Sequence, residues 1–297
     1  MKNEWFTRMG NNNFFNGKFP LNYTIKKANS FKNLKKLGKV IIILFLPSSK
    51  DYAPIHLAAE VSASMKAEAF SRSEIICSIH RFNNNLTQHE VGDYFSNCNI
   101  SNDVLAVIVQ HPIPERFKNA VNLLCESKNL DFVNEYQGRS TTAEAASILA
   151  SPFLSDNSLT AIIGGKGHIG REIKHDFDIK ESGSYVIEKD DDILTARNAN
   201  IIISSVGLPS LIKPEHLGTN QYLLFIDIGF SPIKNKESIE FIGDFHPLSY
   251  SYAQFIVPTP GGIGPTQISL LIERLMLLTS TSFTSWTQHY LEDMLKN

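Results

Sequence analysis

Apolar and polar positions along this chain switch repeatedly between two periods. Short runs rich in β-branched residues alternate with longer stretches of helical spacing. Val40–Leu46 is apolar throughout, as expected of a parallel strand buried on both faces. Pro54 to Phe70 has Pro near its start and Ala, Glu, Met and Lys in its body, which predicts a helix. Glu74–Ile79 predicts a strand. Thr87 to Phe95 predicts a helix, with Thr87 as N-cap and Glu90 closing a capping box. Val104–Val109 predicts a third strand. Gln110-His-Pro-Ile-Pro114 breaks the pattern, and Glu115 to Cys125 resumes as helix. Three strands with intervening helices imply a parallel sheet covered on both faces.

A second alternation follows an irregular stretch, Lys128 to Arg139, and an Ala-rich helix, Thr141 to Leu149. Its strands are predicted at Thr160–Ile163, Tyr185–Glu188, Ile201–Ser204 and Leu223–Ile228. Turn residues mark three strand ends: Gly164-Gly165, Val206-Gly-Leu-Pro209 and Asp227-Ile-Gly229. Ligands of open parallel sheets bind at such carboxyl ends. Phe241–Phe245 is a further short element, and Val257–Thr266 a rigid, turn-rich loop. Gln267–Leu278 and Ser285–Leu295 predict helices. Asn11–Asn13 and Asn83–Asn85 read as polar loops.

Composition narrows the class. A chain of 297 residues, 42% hydrophobic and 20% charged, fits one large or two medium globular domains. A net charge of −2, with no basic stripe interleaved with aromatics, gives no case for nucleic acid. No apolar run is long enough to span a bilayer. Cys77, Cys98 and Cys125 show no CxxC spacing, which argues for a reducing compartment and against a metal site. Residues 1–39 carry many lysines and a single acid, Glu4. A solvated basic helix, Tyr23 to Leu37, explains this better than an organelle-targeting segment, so a cytoplasmic location is expected.

The candidate chemistry centres on Thr160 to Arg171, TAIIGGKGHIGR. Gly165, Gly167 and Gly170 form GxGxxG directly after a strand. Such glycines allow a tight turn, close approach to a pyrophosphate and close packing of helix on strand. The free amides and dipole of the following helix favour an anion. Glu188 lies 23 residues past Gly165, near the spacing of a ribose-binding acid. Lys166 and Arg171 are candidate phosphate contacts, or simply solvated; His168 reads as a surface residue. The run Glu188-Lys-Asp-Asp-Asp192 disfavours a 2′-phosphate, so NAD is expected over NADP. The fold class is therefore α/β with two lobes and a cleft between them. The first lobe is expected to be 1–139, completed by helices within 267–297. The second, 140–266, is a Rossmann-type nucleotide-binding domain.

Seven motifs in order resemble the methylenetetrahydrofolate dehydrogenase/cyclohydrolase family. Pro258 to Thr266, PTPGGIGPT, resembles its PVPGGVGPMT. Val109 to Pro114 resembles VQLPLP, and Lys128-Asn-Leu-Asp131 resembles KDVDG. Ile226–Gly229, Ile242–Asp244, Val206–Pro209 and Asn16-Gly-Lys18 resemble IDVGI, VGDV, AVGKP and DGK. The resemblance implies a folate substrate, a nicotinamide cofactor and a homodimer. It implies substrate contacts at Gln110, Asp131, Pro260, Gly261 and Gly262, with Gln110 and Asp131 catalytic. It implies cofactor contacts at Gly164, Gly165, Lys166, Gly167, Gly170, Arg171, Glu188, Val206, Gly207 and Phe230. On residue type alone, Asp131 is equally a helix cap and Gln110 equally a partner for backbone groups. The family's Tyr and Lys, four apart on the first helix, fall on Leu57 and Val61 when counted from Asp51. Lys66 is five residues beyond Val61, more than a turn away. The expectation is thus a dehydrogenase with weak or absent cyclohydrolase activity, since Val61 moves no proton. The alternative is a catalytically silent relative that binds nucleotide or serves as a partner subunit.

Overall fold

The computed structural model describes all residues except 1, 32–35, 49, 84, 132–138, 181, 235–238, 280–282 and 296–297. Among the described residues there are twelve strands. They are β1 (Phe6–Met9), β2 (Asn12–Phe15), β3 (Lys39–Phe45), β4 (Cys77–Phe82), β5 (Val104–Gln110) and β6 (Leu159–Ile163). There follow β7 (Gly183–Ile187), β8 (Ile201–Ser204), β9 (Tyr222–Asp227), β10 (Ser231–Lys234), β11 (Ile239–Ile242) and β12 (Ala253–Val257). The chain divides into two compact units, each with its own sheet.

One unit comprises Asn22–Thr141 and Ile268–Phe283. Its parallel sheet runs β4-β3-β5. The β-branched run Val40–Ile43 makes β3 the buried centre, as an uninterrupted apolar strand requires. One face packs Ile43, Phe45, Val107 and Val109 against Phe95 and Phe117. The helix Gln88–Ile100 starts at the expected capping box: Thr87 accepts from the Glu90 amide, and Glu90 accepts from that of Thr87. β4 begins three residues later than the sequence suggests. Glu74 adopts φ 60° just after the helix Pro54–Arg72, so 73–76 turn the chain before it extends. Expected helix Glu115–Cys125 shortens to a 3-10 turn, Glu115–Phe117, and one α turn, Lys118–Val121.

The other unit comprises Met1–Leu21, Thr142–Gln267 and Thr284–Asn297. Its seven-stranded sheet runs β1-β2-β12-β9-β8-β6-β7, parallel except for the β1–β2 hairpin at one edge. The expected boundaries are corrected here. Residues 1–21 and 284–297 pack in this unit, because β2 pairs with β12 through Phe14 and Ile256. Trp5 meets Tyr290 edge-on at 5.3 Å and donates to Asp293 Oδ2 at 3.1 Å. The Asn11–Asn13 segment is not an ordinary loop. Asn12 and Asn13 begin β2, and their side chains donate to Ala253 O and Gln254 O at 2.6 and 3.1 Å. The basic helix lies earlier than expected, at Lys18–Ser30; the end of the expected span at 32–35 lies outside the described residues.

Candidate functional site

In the seven-stranded unit, β6 sits between β7 and β8, and its glycine turn emerges at their shared carboxyl end. The positive φ of the turn falls on Gly164, at 80°, one residue before the motif's first glycine. Gly165 is fixed by contact instead: a Cβ there would lie 2.6 Å from Val186 Cγ2. At Gly170 a Cβ would lie 2.3 Å from Gly164 O, so the helix His168–Ile179 packs directly on the turn. Gly167 caps that helix with no side chain supplying a hydrogen bond. Its first turn therefore offers backbone amides to an anion. Glu188 stands just past β7 and accepts from the Lys166 amide at 2.5 Å, which ties the acid to the glycine turn. Asp191 and Asp192 accept from the amides of Glu188 and Leu194, so part of the acidic run is local turn chemistry.

Two buried aspartates hold the neighbouring loops. Asp244 Oδ2 accepts from Ser204 Oγ at 2.7 Å and the Val206 amide at 2.8 Å, and Oδ1 accepts from the Leu208 amide at 2.8 Å. That carboxylate shapes the Val206–Pro209 turn. Gly207 takes φ 77° at its apex, and its carbonyl accepts from Ser231 Oγ. Asp227 accepts from the amides of Asp244 and Phe245 and from Tyr250 Oη. Burial, then the nearby Asp244, pushes the Asp227 carboxyl up to about 7. The backbone carbonyl of Asp227 accepts from Thr259 Oγ1 at 2.6 Å and so tethers Pro258–Gly262. In that loop the Thr259–Pro260 peptide is cis and Gly261 has φ 108°. Gly17 donates to Gly261 O at 3.1 Å, and a Cβ on Gly17 would lie 2.2 Å from Gly262 O. Asn16-Gly-Lys18 and PTPGGIGPT, far apart in sequence, thus meet. Phe230 stacks on Phe241 at 4.4 Å and 2°. The sequence offered IDIG and IGD as motifs but not their joint role; two acids, each within two residues of a glycine, were the available signal. A Cβ on Gly229 or Gly243 would lie 2.0 Å from an aspartate oxygen.

In the three-stranded unit, Gln110 ends β5, level with Leu44 of β3. From the helix Pro54–Arg72, Lys66 reaches across with Nζ 2.8 Å from Gln110 Oε1 and 3.0 Å from Ser62 Oγ. Lys66 is 1% exposed. Burial pushes its ammonium below the ordinary lysine range, and the charge of Asp131 opposes that shift. Asp131 is itself buried, and its Oδ1 accepts from both the amide and Oγ1 of Thr141. It is therefore a helix cap as well as the counter-charge to Lys66.

Known proteins share stretches of this sequence and this fold. Residues 141–283 match the family model described as tetrahydrofolate dehydrogenase/cyclohydrolase, NAD(P)-binding domain. Over those residues, just under half of its length, the chain is similar to the tetrahydrofolate dehydrogenase/cyclohydrolase family. It is 26% identical over 208 residues to the bifunctional protein FolD of Clostridium tetani, covering 64% of this chain and 73% of that one. With the FolD of Mycoplasma mycoides it is 25% identical over 241 residues, or 74% and 81% of the two chains. The crystal structure of the Campylobacter jejuni bifunctional enzyme superposes with a TM-score of 0.72 at 20% identity, covering 89% of this chain and 97% of that one. The Trypanosoma brucei enzyme, complexed with NADP and inhibitor, gives 0.74 at 16% identity, covering 89% and 96%. Two α/β units, one of them with a Rossmann-like nucleotide-binding fold, are thus the fold. No described helix is long and apolar enough to cross a membrane.

Against the tetrahydrofolate dehydrogenase/cyclohydrolase pattern, one expectation is corrected. Gln110 does not lack a cation. Leu57 and Val61 are half-buried on the same helix, but the residue that reaches Gln110 is Lys66. The helix buries Ala59, Ala63, Lys66, Ala69 and Phe70. A lysine set in an otherwise small and apolar stripe at helical spacing was the signal that counting from Asp51 missed.

Proposed function

We propose that this chain is an NAD(P)-dependent methylenetetrahydrofolate dehydrogenase that retains methenyltetrahydrofolate cyclohydrolase activity. The observation that carries it is Lys66 Nζ on Gln110 Oε1 at 2.8 Å, with Asp131 as counter-charge. The expectation of weak or absent hydrolysis rested on Val61, and Lys66 removes that ground. In this reading the family's Tyr–Lys pair corresponds to Ser62 and Lys66, which are also four apart. A buried amine whose charged form is disfavoured gives up its proton more readily than an exposed lysine, which suits proton transfer. Gln110 orients it. Asp131, anchored by Thr141, stabilises its protonated form.

The nucleotide side fits a nicotinamide cofactor. Gly165 and Gly170 fill spaces where a Cβ collides, and the helix after Gly167 starts without a side-chain cap. A bound nicotinamide supplies hydride acceptance. Gly164, Gly165, Lys166, Gly167, Gly170 and Arg171 would hold its phosphates. Val206, Gly207 and Phe230 would border its far end, with Pro260–Gly262 and Gln110 assigned to folate. Glu188 would accept from both ribose hydroxyls, which favours NAD over NADP.

A second reading is a silent relative that binds nucleotide only. Ser62 favours it, because a serine four residues before Lys66 offers no ring to stack on a pterin. A spectrophotometric assay decides between the two. Oxidation of methylenetetrahydrofolate with NAD or NADP, and hydrolysis of the methenyl form, are expected. Nucleotide binding with no conversion of either folate would establish the silent reading.

A further inference from the structure

Lys66 is sealed. At 1% exposure, its nitrogen is closed off by the chain, with one hydrogen bond to Gln110 and one to Ser62. Ser62 is only partly buried. Its hydroxyl also differs from that of Ser64 on the same helix. Ser64 Oγ donates to the carbonyl of Glu60 at 2.9 Å, the usual arrangement for a mid-helix serine. Ser62 Oγ accepts from Lys66 and donates to no acceptor among the described residues. One hydroxyl therefore touches the buried amine with its lone pair and has its proton left to give.

We propose that Ser62 is a catalytic proton relay between Lys66 and the folate ligand; this rests on the cyclohydrolase half of the proposed function. In the step that removes a proton, Ser62 Oγ takes one from the attacking water while its own proton passes to neutral Lys66 Nζ. The water oxygen bonds to the methenyl carbon. In the return step Nζ gives a proton to Oγ as the Oγ proton passes to the departing ring nitrogen and the carbon–nitrogen bond breaks. The remaining proton of the attacking water leaves the carbinolamine oxygen for solvent as the formyl C=O forms, so one proton is released overall and Lys66 ends neutral, as it began. The relay needs a hydroxyl at position 62 and nothing else of the serine, so threonine should substitute and alanine should not.

The test uses the full-length protein with three forms: wild type, Ser62→Ala and Ser62→Thr. Hydrolysis of methenyltetrahydrofolate is followed by loss of its absorbance, with kcat and KM measured separately. The relay predicts that Ser62→Ala lowers kcat by roughly 100-fold or more with KM little changed, as removal of a general acid–base group does. Ser62→Thr should keep most of the activity. Far-ultraviolet circular dichroism and the calorimetric affinity for NAD should be equal in all three, which shows that the fold is intact. If Ser62→Ala hydrolyses as fast as wild type, the relay fails while the proposed function stands. Equal loss in the alanine and threonine variants would also overturn the relay and reduce Ser62 to a packing residue. A wild type that oxidises but never hydrolyses sinks the relay together with the cyclohydrolase reading.

Discussion

Two of the molecule's clusters of buried charge are built in opposite ways. In the seven-stranded unit, Asp227 and Asp244 are buried under backbone amides and hydroxyls. In the three-stranded unit, Lys66 is buried against two side chains, Gln110 and Ser62. The backbone donors around the aspartates belong to the segments after β8 and β11, so a change in either carboxylate moves backbone. The acceptors around Lys66 are side-chain tips, so its proton can leave without moving the chain. The first arrangement suits holding loops still, and the second suits chemistry. An unpartnered buried charge costs several kcal/mol, so each cluster persists only because its partners are complete.

The largest expected effect tests the second cluster. Lys66→Met keeps the apolar length of the side chain and removes the nitrogen. Methenyltetrahydrofolate hydrolysis should fall by about 100- to 10,000-fold, while the calorimetric affinity for NAD or NADP stays within about twofold. Val61→Lys, in contrast, should add nothing, because Val61 is not the residue that reaches Gln110. Full hydrolysis by Lys66→Met would mean that the two clusters do not differ in kind and that Lys66 is structural.

The next effect tests the first cluster through pH. Asp227 is raised from the ordinary value of 3.8 to about 7, chiefly by burial. Its folded form thus binds a proton more tightly than its unfolded form. The stability this gives is complete below about pH 3.8 and is lost as pH rises to about 7. At roughly 1.4 kcal/mol per unit, the loss is at most about 4 kcal/mol. Asp227→Asn removes the titration while keeping the shape. Denaturant unfolding between pH 4 and 8 should show a flatter profile for this variant than for wild type. Parallel profiles would mean that Asp227 does not titrate in this range. Asp244 is shifted in the same direction by burial, so Asp244→Asn should also lessen the loss of stability as pH rises above the ordinary carboxylate range.

What could be seen in the sequence divides along the same line. Glycine turns were legible because their chemistry lies in the backbone, and spacing alone reports it: Gly165, Gly167 and Gly170 line up as GxGxxG. The strands β3, β5, β6, β8 and β9 were legible because an apolar run bounded by turns has few other uses. Lys66 was not, because a helix residue is placed by rotation, and rotation was counted from Asp51, which lies outside the helix Pro54–Arg72. Four residues of helix are one turn, but an error of five in register moves a side chain to a different face. The β1–β2 hairpin was hidden for another reason. Asn12 and Asn13 look like loop residues and become strand only because β12 supplies carbonyls to their side chains.

A smaller effect sharpens the backbone side of the comparison. Gly170→Ala would place a Cβ 2.3 Å from Gly164 O and 2.6 Å from Gly165 Cα. Neither is the end of a flexible side chain, so the turn itself must shift, at a cost of roughly 1–3 kcal/mol. Nucleotide affinity should drop by about tenfold or more with folate hydrolysis little altered. Unchanged nucleotide binding in a folded Gly170→Ala protein would show that the glycine turn is not the phosphate cradle.

The smallest effect concerns cofactor choice. Glu188 is the one acid of its run whose side chain is tied to the glycine turn, through the Lys166 amide at 2.5 Å. A ribose hydroxyl donates comfortably to such a carboxylate. A 2′-phosphate brings a second anion to contact distance, and in a half-exposed site the repulsion amounts to about 1–2 kcal/mol after solvent screening. Glu188→Gln keeps an oxygen to accept the Lys166 amide and removes the charge. The ratio of NAD to NADP affinity should therefore shift toward NADP by roughly 5- to 30-fold, mostly through tighter NADP binding. Asp191 and Asp192 hold local amides, so neutralising either should shift the ratio far less. Calorimetric titration of both cofactors against the three variants separates the cases. Equal shifts at all three positions would mean that the acidic run acts as a diffuse field and that Glu188 has no special place in it.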